Sequence, residues 1–553
     1  MLVAALAKLD DGTYEGIFNA STGLNVFKGI RFAAPPTDSL RWQAPQKPKQ
    51  STSPNITATA FGSVCPHSFR AGQSSRALPS DMSEDCLFLN VYAPHNGSGL
   101  PVLVHIHGGG YGVGDGRQDL TNLITANGNT FIAVSIQYRL GAFGFLAGDE
   151  VFRHGVVNAA LLDQQFALQW VQDNIDEFGG DPRKVTIFGI SAGGGSVMLH
   201  DMAYGGTQGT SLFNNSISFS PYLPQQYNYN DWIPTQGYYA FAAHAGCAAT
   251  WAYGNTSETI FQCLVSKDTD TLQAASNAIS SSGLYGTWAF LPVTDGDLVP
   301  SRPSYALFNG KLNGVNQLTS NVAEESFVFV PQNIESEECL RTWIRRVFPL
   351  FDDQDVSALL LQYPHQDSSG KRARHATSGT SSPSALGTSA TASGYQQLAN
   401  LVYAESTFVC PSYWLAQAYN TEGKRGFKKQ FSVPIALHGY DGVALFGNTR
   451  LSIHGDELVS ALQSAIGRYV RTGDPGWLPY TSPEYPMFNV NQTGGREVPV
   501  ESTLDPSLNT LGASWSIGPD LHVDFSIVNG YTWEGGRGAR CEFWKQIAAK
   551  VPM

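Results

Sequence analysis

Nowhere in its 553 residues does the chain run for the ~18 consecutive apolar residues of a membrane-spanning helix, so none is expected. Basic residues are scarce. Lys and Arg number 34 against 46 Asp and Glu, and the net charge of −12 argues against nucleic acid and anionic membrane surfaces as partners. Charge of either sign is thin, 14% of residues, whereas 42% are hydrophobic and 12% aromatic, the profile of a well-packed globular protein. No internal repeat and no convincing linker interrupts the chain, so residues 1–553 read as one domain. No His-Glu-x-x-His occurs. His105 and His107 share a face by strand alternation but lack a third ligand nearby, so they read as structural, and no metal or other cofactor is expected.

What is present points to the secretory route. Seven cysteines accompany six glycosylation sequons, at Asn19, Asn55, Asn96, Asn214, Asn255 and Asn491, which suits an oxidising, extracellular compartment. The apolar start, Met1 to Ala7, is too short for a complete signal peptide and reads as the tail of one or as a trimmed beginning. A Ser, Thr, Gly and Ala-rich stretch at about 366–395 lacks periodicity and reads as a mobile surface loop, with Lys371-Arg372-Ala373-Arg374 as its solvated basic cluster.

Strand-like runs at 101–106, 131–136, 185–188 and 216–219 alternate with helical ones. Leu162, Phe166 and Trp170 continue to Ile175 and Phe178 as an amphipathic helix stopped by Gly179-Gly180. This order predicts an α/β fold, a mostly parallel sheet with helices on its faces and a site at the carboxyl ends of the strands. The β-branched run Val185 to Phe188 meets Gly189-Ile190-Ser191-Ala192-Gly193, and a helical stretch follows. A serine at such an apex stands clear of the backbone, as a nucleophile must. Upstream, the strand ending at Ile106 enters His107-Gly108-Gly109-Gly110, whose backbone N–H groups are free to converge on one spot, as an oxyanion requires.

A serine nucleophile needs a base and an acid, which follow it in the order Ser, Asp or Glu, His. His200 lies too close to the elbow in sequence. His365 and His375 fall in or beside the loop-like stretch, and His522 sits on the solvent side of an alternating strand. His438 emerges from the apolar run 431–437 and is favoured, with His454 as runner-up. Glu324 and Glu325 stand before the strand-like Phe327 to Val330, and residue chemistry alone does not choose between them.

The chain resembles the type-B carboxylesterases of the α/β-hydrolase fold, the cholinesterase and fungal lipase group. The resemblance rests on Phe27-Lys28-Gly29-Ile30, Leu40-Arg41-Trp42, Glu84-Asp85-Cys86-Leu87, His107-Gly108-Gly109-Gly110, Tyr138-Arg139-Leu140-Gly141, Asp163-Gln164-Gln165-Phe166, Phe178-Gly179-Gly180-Asp181-Pro182 and the elbow. Ser220-Pro221-Tyr222 and Thr407-Phe408-Val409-Cys410-Pro411 look most like secreted fungal members. The resemblance implies Ser191 as nucleophile, Gly109, Gly110 and Ala192 as oxyanion donors, and His438 as base, within His438-Gly439-Tyr440-Asp441. It puts the acid at Glu324, through Asn321-Val322-Ala323-Glu324. Glu325, in place of the family's usual glycine, is the alternative. Ile190 replaces the glutamate that the family commonly carries beside the serine. The implied pairing is Cys65–Cys86, Cys247–Cys263 and Cys410–Cys541, leaving Cys339 free.

Residues 66–85 hold no Trp to face a quaternary ammonium, and they are too short and polar for an amphipathic lipase lid. The expected function is a secreted esterase with an open gorge for small or aromatic soluble esters, its pocket drawing on Tyr222, Trp288 and Phe290. A lipase of the same family and a non-enzymatic adhesion-type homologue are the alternatives.

Overall fold

Alternating apolar and β-branched runs line up side by side, and their side chains divide between two faces. In the computed structural model, Val102, Val104, Ile106, Val185 and Ile187 enter one buried cluster, while Leu103 and Phe188 enter another on the opposite side. The structure describes residues 3–73, 78–247, 259–364, 386–387, 389, 391–433, 436–447, 455–494, 504–505, 510–511, 521–551 and 553, with only the backbone described at 3–4, 455–456, 491–494, 504–505, 510–511 and 521–524.

The strands are β1 (Val3–Leu9), β2 (Gly12–Asn19), β3 (Leu24–Arg31), β4 (Asn55–Thr57), β5 (Phe88–Pro94), β6 (Leu100–Ile106), β7 (Ile132–Ile136) and β8 (Gly180–Ile190). They continue with β9 (Asn215–Phe219), β10 (Asn316–Val322), β11 (Arg425–Phe431), β12 (Pro486–Gly494), β13 (Leu504–Asp505), β14 (Thr510–Leu511) and β15 (Leu521–Asn529). Among the described residues, 13 strands form one sheet in the order β1-β2-β3-β5-β7-β6-β8-β9-β10-β11-β12-β15, with β4 beside β2, while β13 and β14 pair with each other. From β7 across to β12 every pairing is parallel, and the flanks are antiparallel except for β4, which lies parallel to β2. The helix Ala192–Met202, buried along its whole length, covers one face; Thr121–Ala126 and Gly455–Thr472 cover the other. This is the α/β architecture expected, with the four anticipated strands in place.

Three local expectations need correction. The helix Ala159–Asn174 does run on to a turn closed by Gly179 at φ +85°, but Leu162, Phe166 and Trp170 are only half-buried. Its inner face carries Leu161, Gln164, Leu168 and Val171, because Asp163 is buried against Arg139 at 2.7 Å and Gln164 bonds the Ser196 hydroxyl. Phe327 to Val330 is a turn, in which the amides of Phe329 and Val330 both donate to Ser326 O. The strand before His438 is β11, one step earlier than the apolar run 431–437; its lysines, Lys428 and Lys429, are buried, which polarity alone argued against. At the edge of the sheet β1 pairs with β2 from Val3 opposite Phe18 to Leu9 opposite Gly12.

Three disulfides form, Cys65–Cys86, Cys247–Cys263 and Cys410–Cys541, and Cys339 is free and exposed. Asn19, Asn55 and Asn96 are exposed and Asn214 is half-buried; Asn255 and the Asn491 side chain lie outside the described residues, as does most of the expected 366–395 loop with its basic cluster. Among the described residues no helix is long and apolar enough to cross a membrane.

Cys410 and Cys541 are 131 residues apart and Cys247 and Cys263 only 16. Loop-closure entropy gives about 5 kcal/mol for the former and about 3 kcal/mol for the latter. Replacing Cys410 and Cys541 together by Ala should therefore lower the urea midpoint further than replacing Cys247 and Cys263. Equal losses in the two denaturation curves would mean that packing, and not loop length, sets the cost.

Candidate active site

Ser191 sits where β8 must reverse into the helix Ala192–Met202, and it does so at φ +62°, ψ −126°, a conformation that costs a non-glycine residue of order 1–3 kcal/mol. The turn closes only because its neighbours have no side chains. A Cβ on Gly189 would lie 2.2 Å from Gly193 C, one on Gly193 2.1 Å from Ile106 O, and one on Gly194 2.5 Å from Phe219 O. The Ser191 amide donates to Phe219 O at 2.9 Å and its carbonyl accepts from Gly195 and Tyr222, so the strained residue is held from three sides.

His438 brings its imidazole to this apex. Nε2 lies 2.8 Å from Ser191 Oγ, and Nδ1 lies 2.5 Å from Oε2 of Glu325. A carboxylate only accepts, so Nδ1 carries the hydrogen and Nε2 is left to receive the serine proton. The other oxygen of Glu325 accepts the Val322 amide at 2.8 Å, and the residue is wholly buried.

The carboxyl that meets His438 is thus that of Glu325, not Glu324. Beyond β10 and β11 the two chains touch once more, in a parallel bridge of Glu324 with Leu437, and the Glu324 amide donates to Ala436 O. The next residue on each chain is Glu325 and His438, so the pair is brought level. Glu324 points elsewhere: its Oε2 accepts from Thr391 Oγ1 at 3.3 Å, and burial raises its pKa to about 8, with Glu534 adding to the rise and Ser389 and Arg537 opposing it.

The loop after β6 is shaped for close backbone approach. Gly109 and Gly110 adopt φ +116° and +63°, and the amides of Gly112 and Val113 turn back onto Gly109 O. Tyr138 donates to His107 O at 2.7 Å and stacks on the His107 ring at 4.3 Å, fixing the strand end. Neither Gly109 nor Gly110 donates its amide to another backbone group among the described residues. With Ala192 at the first position of a helix, whose amides have no intrahelical acceptor, these groups can hold a negative oxygen at the serine.

Aromatic rings enclose the imidazole. Phe408 lies 4.6 Å from it and Phe329 5.2 Å; Tyr222 stacks on Phe408 at 5.4 Å and meets Trp288 at 5.9 Å. Trp288 covers Gly110 and Gly112, where a Cβ would strike its indole at 2.2 and 2.4 Å. Of the three expected pocket residues, Tyr222 and Trp288 come together here, whereas Phe290 turns into the core against Phe241 at 5.7 Å. Sequence reasoning missed Phe329, Phe408 and Tyr403, whose ring stacks on Phe329 at 6.1 Å. Phe408 had one signal: it precedes Cys410-Pro411, and a π-helical turn, Glu405–Val409, re-aims that segment.

The strand histidines and those downstream of Ser191 are placed as follows. His105 packs between Phe188 and Phe446, and burial lowers its pKa to about 3; burial lowers that of His107 to about 4. His200 is buried against Gln164 Oε1 at 3.0 Å, and His244 is exposed. His365, His375 and His454 lie outside the described residues, as does the His522 side chain. Ile190 fills its place with hydrocarbon, its Cδ1 lying against Gly442 in the helix that follows His438.

A profile of the carboxylesterase family matches residues 4–493. The carboxylesterase patB of Aspergillus clavatus is 30% identical over 588 residues, covering 96% of this chain and 93% of its own. A secreted lipase of Arthroderma benhamiae is 34% identical over 364 residues, covering 64% of this chain, which spans only 62% of that lipase. Among solved structures, Aspergillus niger EstA superposes with a TM-score of 0.79 at 25% identity, covering 100% of this chain and 99% of its own.

Exchanging each carboxyl separately distinguishes the two glutamates. Glu325→Gln should lower kcat on p-nitrophenyl butyrate about ten-thousand-fold, while Glu324→Gln should stay within about threefold of the parent. Free Glu324 loses its proton near 4.5 and the folded residue near 8, so between these values the native state keeps a proton that the unfolded chain releases, and stability falls as pH rises. Gln does not titrate. The Tm of Glu324→Gln should therefore gain on the parent between about pH 5 and pH 8, and a constant difference would refute the assignment of that burial penalty.

Proposed function

The chain belongs to the carboxylesterase family, and from that premise we propose that it hydrolyses carboxylic esters through an acyl-enzyme built on Ser191, His438 and Glu325. The observation that carries this reading is the continuous relay from Ser191 Oγ to His438 Nε2 at 2.8 Å and from Nδ1 to Glu325 at 2.5 Å. Ser191 Oγ attacks the ester carbonyl as its proton passes to Nε2. Glu325 stabilises the imidazolium and holds the ring, and the amides of Gly109, Gly110 and Ala192 receive the oxyanion. His438 returns the proton to the departing alcohol. Water then repeats the sequence on the acyl-enzyme and frees the acid. Ile190 leaves this imidazolium without the carboxylate that the family usually sets beside the serine, and every proton transfer still has its donor and acceptor.

Small or aromatic soluble esters are the proposed substrates, taken by one catalytic domain spanning the chain. The rings of Phe329, Phe408, Tyr222 and Trp288 favour an aromatic or short acyl group. Between Cys65 and Cys86 no helix occurs among the described residues, and His67 to Ala71 are buried, which supports the reading without an amphipathic lid. Three disulfides and the relatives named secreted support an extracellular setting, where the exposed Asn19, Asn55 and Asn96 would be open to glycosylation. A lipase is the second reading, favoured by the names of several relatives.

Ser191→Ala should leave the circular dichroism spectrum unchanged and cut ester turnover on the order of a million-fold, and a radiolabelled organophosphate should mark the Ser191 peptide alone. Unlabelled protein, or turnover surviving in Ser191→Ala, would favour the adhesion-type alternative or another nucleophile. Rate against tributyrin concentration should saturate smoothly through the solubility limit. An abrupt rise at that limit would make the protein a lipase.

A further inference from the structure

Among the described residues five arginines are buried, and four of them have a carboxylate. Arg41 meets Glu84 at 2.7 Å, Arg139 meets Asp163 at 2.7 Å, and Arg537 and Arg540 meet Glu405 at 3.1 and 2.7 Å. Arg70 is 7% exposed and makes no ion pair among the described residues. Its surroundings are aromatic: the guanidinium lies 5.4 Å from the Phe329 ring and 5.9 Å from that of Tyr285, and Phe329 in turn touches His438 at 5.2 Å. Arg70 is thus one ring removed from the imidazole. Its Nη1 is buried without a hydrogen-bond partner, and so is Nε1 of Trp288, whose indole packs 6.3 Å from the same Phe329. Two donors on one wall of the site therefore lack acceptors.

The position is built, not incidental. His67 bonds Gly114 O, the Ser68 amide donates to Gly112 O, and the Phe69 amide to Asn277 Oδ1. The Ala71 amide donates to Thr287 O, so the segment carrying Arg70 is clamped between the glycine loop after β6 and residues 277–287. Burial pulls the guanidinium's pKa down, and the groups that oppose this are the hydroxyls of Tyr285, Tyr403 and Tyr222, none of them an anion. Burying an unpaired cation is unfavourable unless something else gains from its field, which is strong in a low-dielectric wall.

We propose that Arg70 is a substrate-binding cation and that the preferred substrates are esters carrying a carboxylate, which it draws to Ser191 while repelling quaternary-ammonium esters. This deepens the esterase reading and rests on it: the same site, with a charge preference set by the Cys65–Cys86 loop.

The test compares p-nitrophenyl hydrogen adipate with p-nitrophenyl hexanoate, equal in acyl length and differing in the terminal carboxylate. The parent protein should show at least a tenfold higher kcat/KM on the adipate, mostly through KM. Arg70→Met should lose that preference and keep hexanoate hydrolysis within threefold. Arg70→Lys should retain part of it. A parent with no preference, or an Arg70→Met variant that keeps it, would overturn the proposal while leaving the hydrolase intact; equal losses on both esters would make Arg70 structural and overturn it as well. Absence of hydrolysis of either ester by the parent would instead defeat the esterase reading itself. Should Arg70→Met fail to fold, monomethyl adipate should still inhibit hexanoate hydrolysis by the parent at least tenfold more strongly than dimethyl adipate, and equal inhibition would overturn the proposal.

Discussion

The whole site hangs on the close approach of three backbones at the carboxyl ends of β6, β8 and β9. Gly193 is pressed against Ile106 O, Gly194 against Phe219 O, and Gly108 against Ile190 O, each at a distance that no Cβ tolerates. That contact holds Ser191 in its strained backbone and brings the glycine loop after β6 alongside it. Interiors are close-packed and yield little, so the strain at one residue is held by the fit of its neighbours.

The second layer of support is polar and buried. Arg139–Asp163 ties the chain after β7 to the helix Ala159–Asn174, and Gln164 on that helix reaches Ser196 and His200 on the helix behind the serine. On the far side, Lys429 meets Asp441 at 3.3 Å and Asp441 also accepts from Ser320, so the helix that follows His438 is fastened to both β11 and β10. The Glu405 cluster with Arg537 and Arg540 anchors the π-helical turn that delivers Phe408 to the imidazole. Such groups are stable indoors only when paired, and here the pairing doubles as the means by which distant segments are aimed.

Adjacent glutamates acquire different chemistry from this setting. Glu325 accepts two N–H hydrogens and Glu324 only hydroxyls, in a place where burial favours its neutral form up to a pKa of about 8. A neighbour kept neutral adds no like charge beside the carboxylate that faces His438.

Much of this was legible in the order of residues. The β-branched runs, the glycines around Ser191 and those after His107 are local signals, because strand propensity and the need for a missing Cβ act within a few residues of chain. The parallel sheet, the elbow, and Ser191 and His438 as candidates followed from them, and the disulfide partners followed from family resemblance. What local pattern could not decide was anything that depends on register or burial. Lys428 and Lys429 lie inside a strand because Asn321 on β10 and Asp441 on the helix after His438 await them, which no window of sequence shows. Phe290 and Trp288 are two residues apart, yet one enters the core and the other the site. The choice of Glu325 over Glu324 was made by a single tertiary contact, the bridge of Glu324 with Leu437: neighbours in a chain point apart, so only the partner strand determines which of two identical side chains meets the histidine.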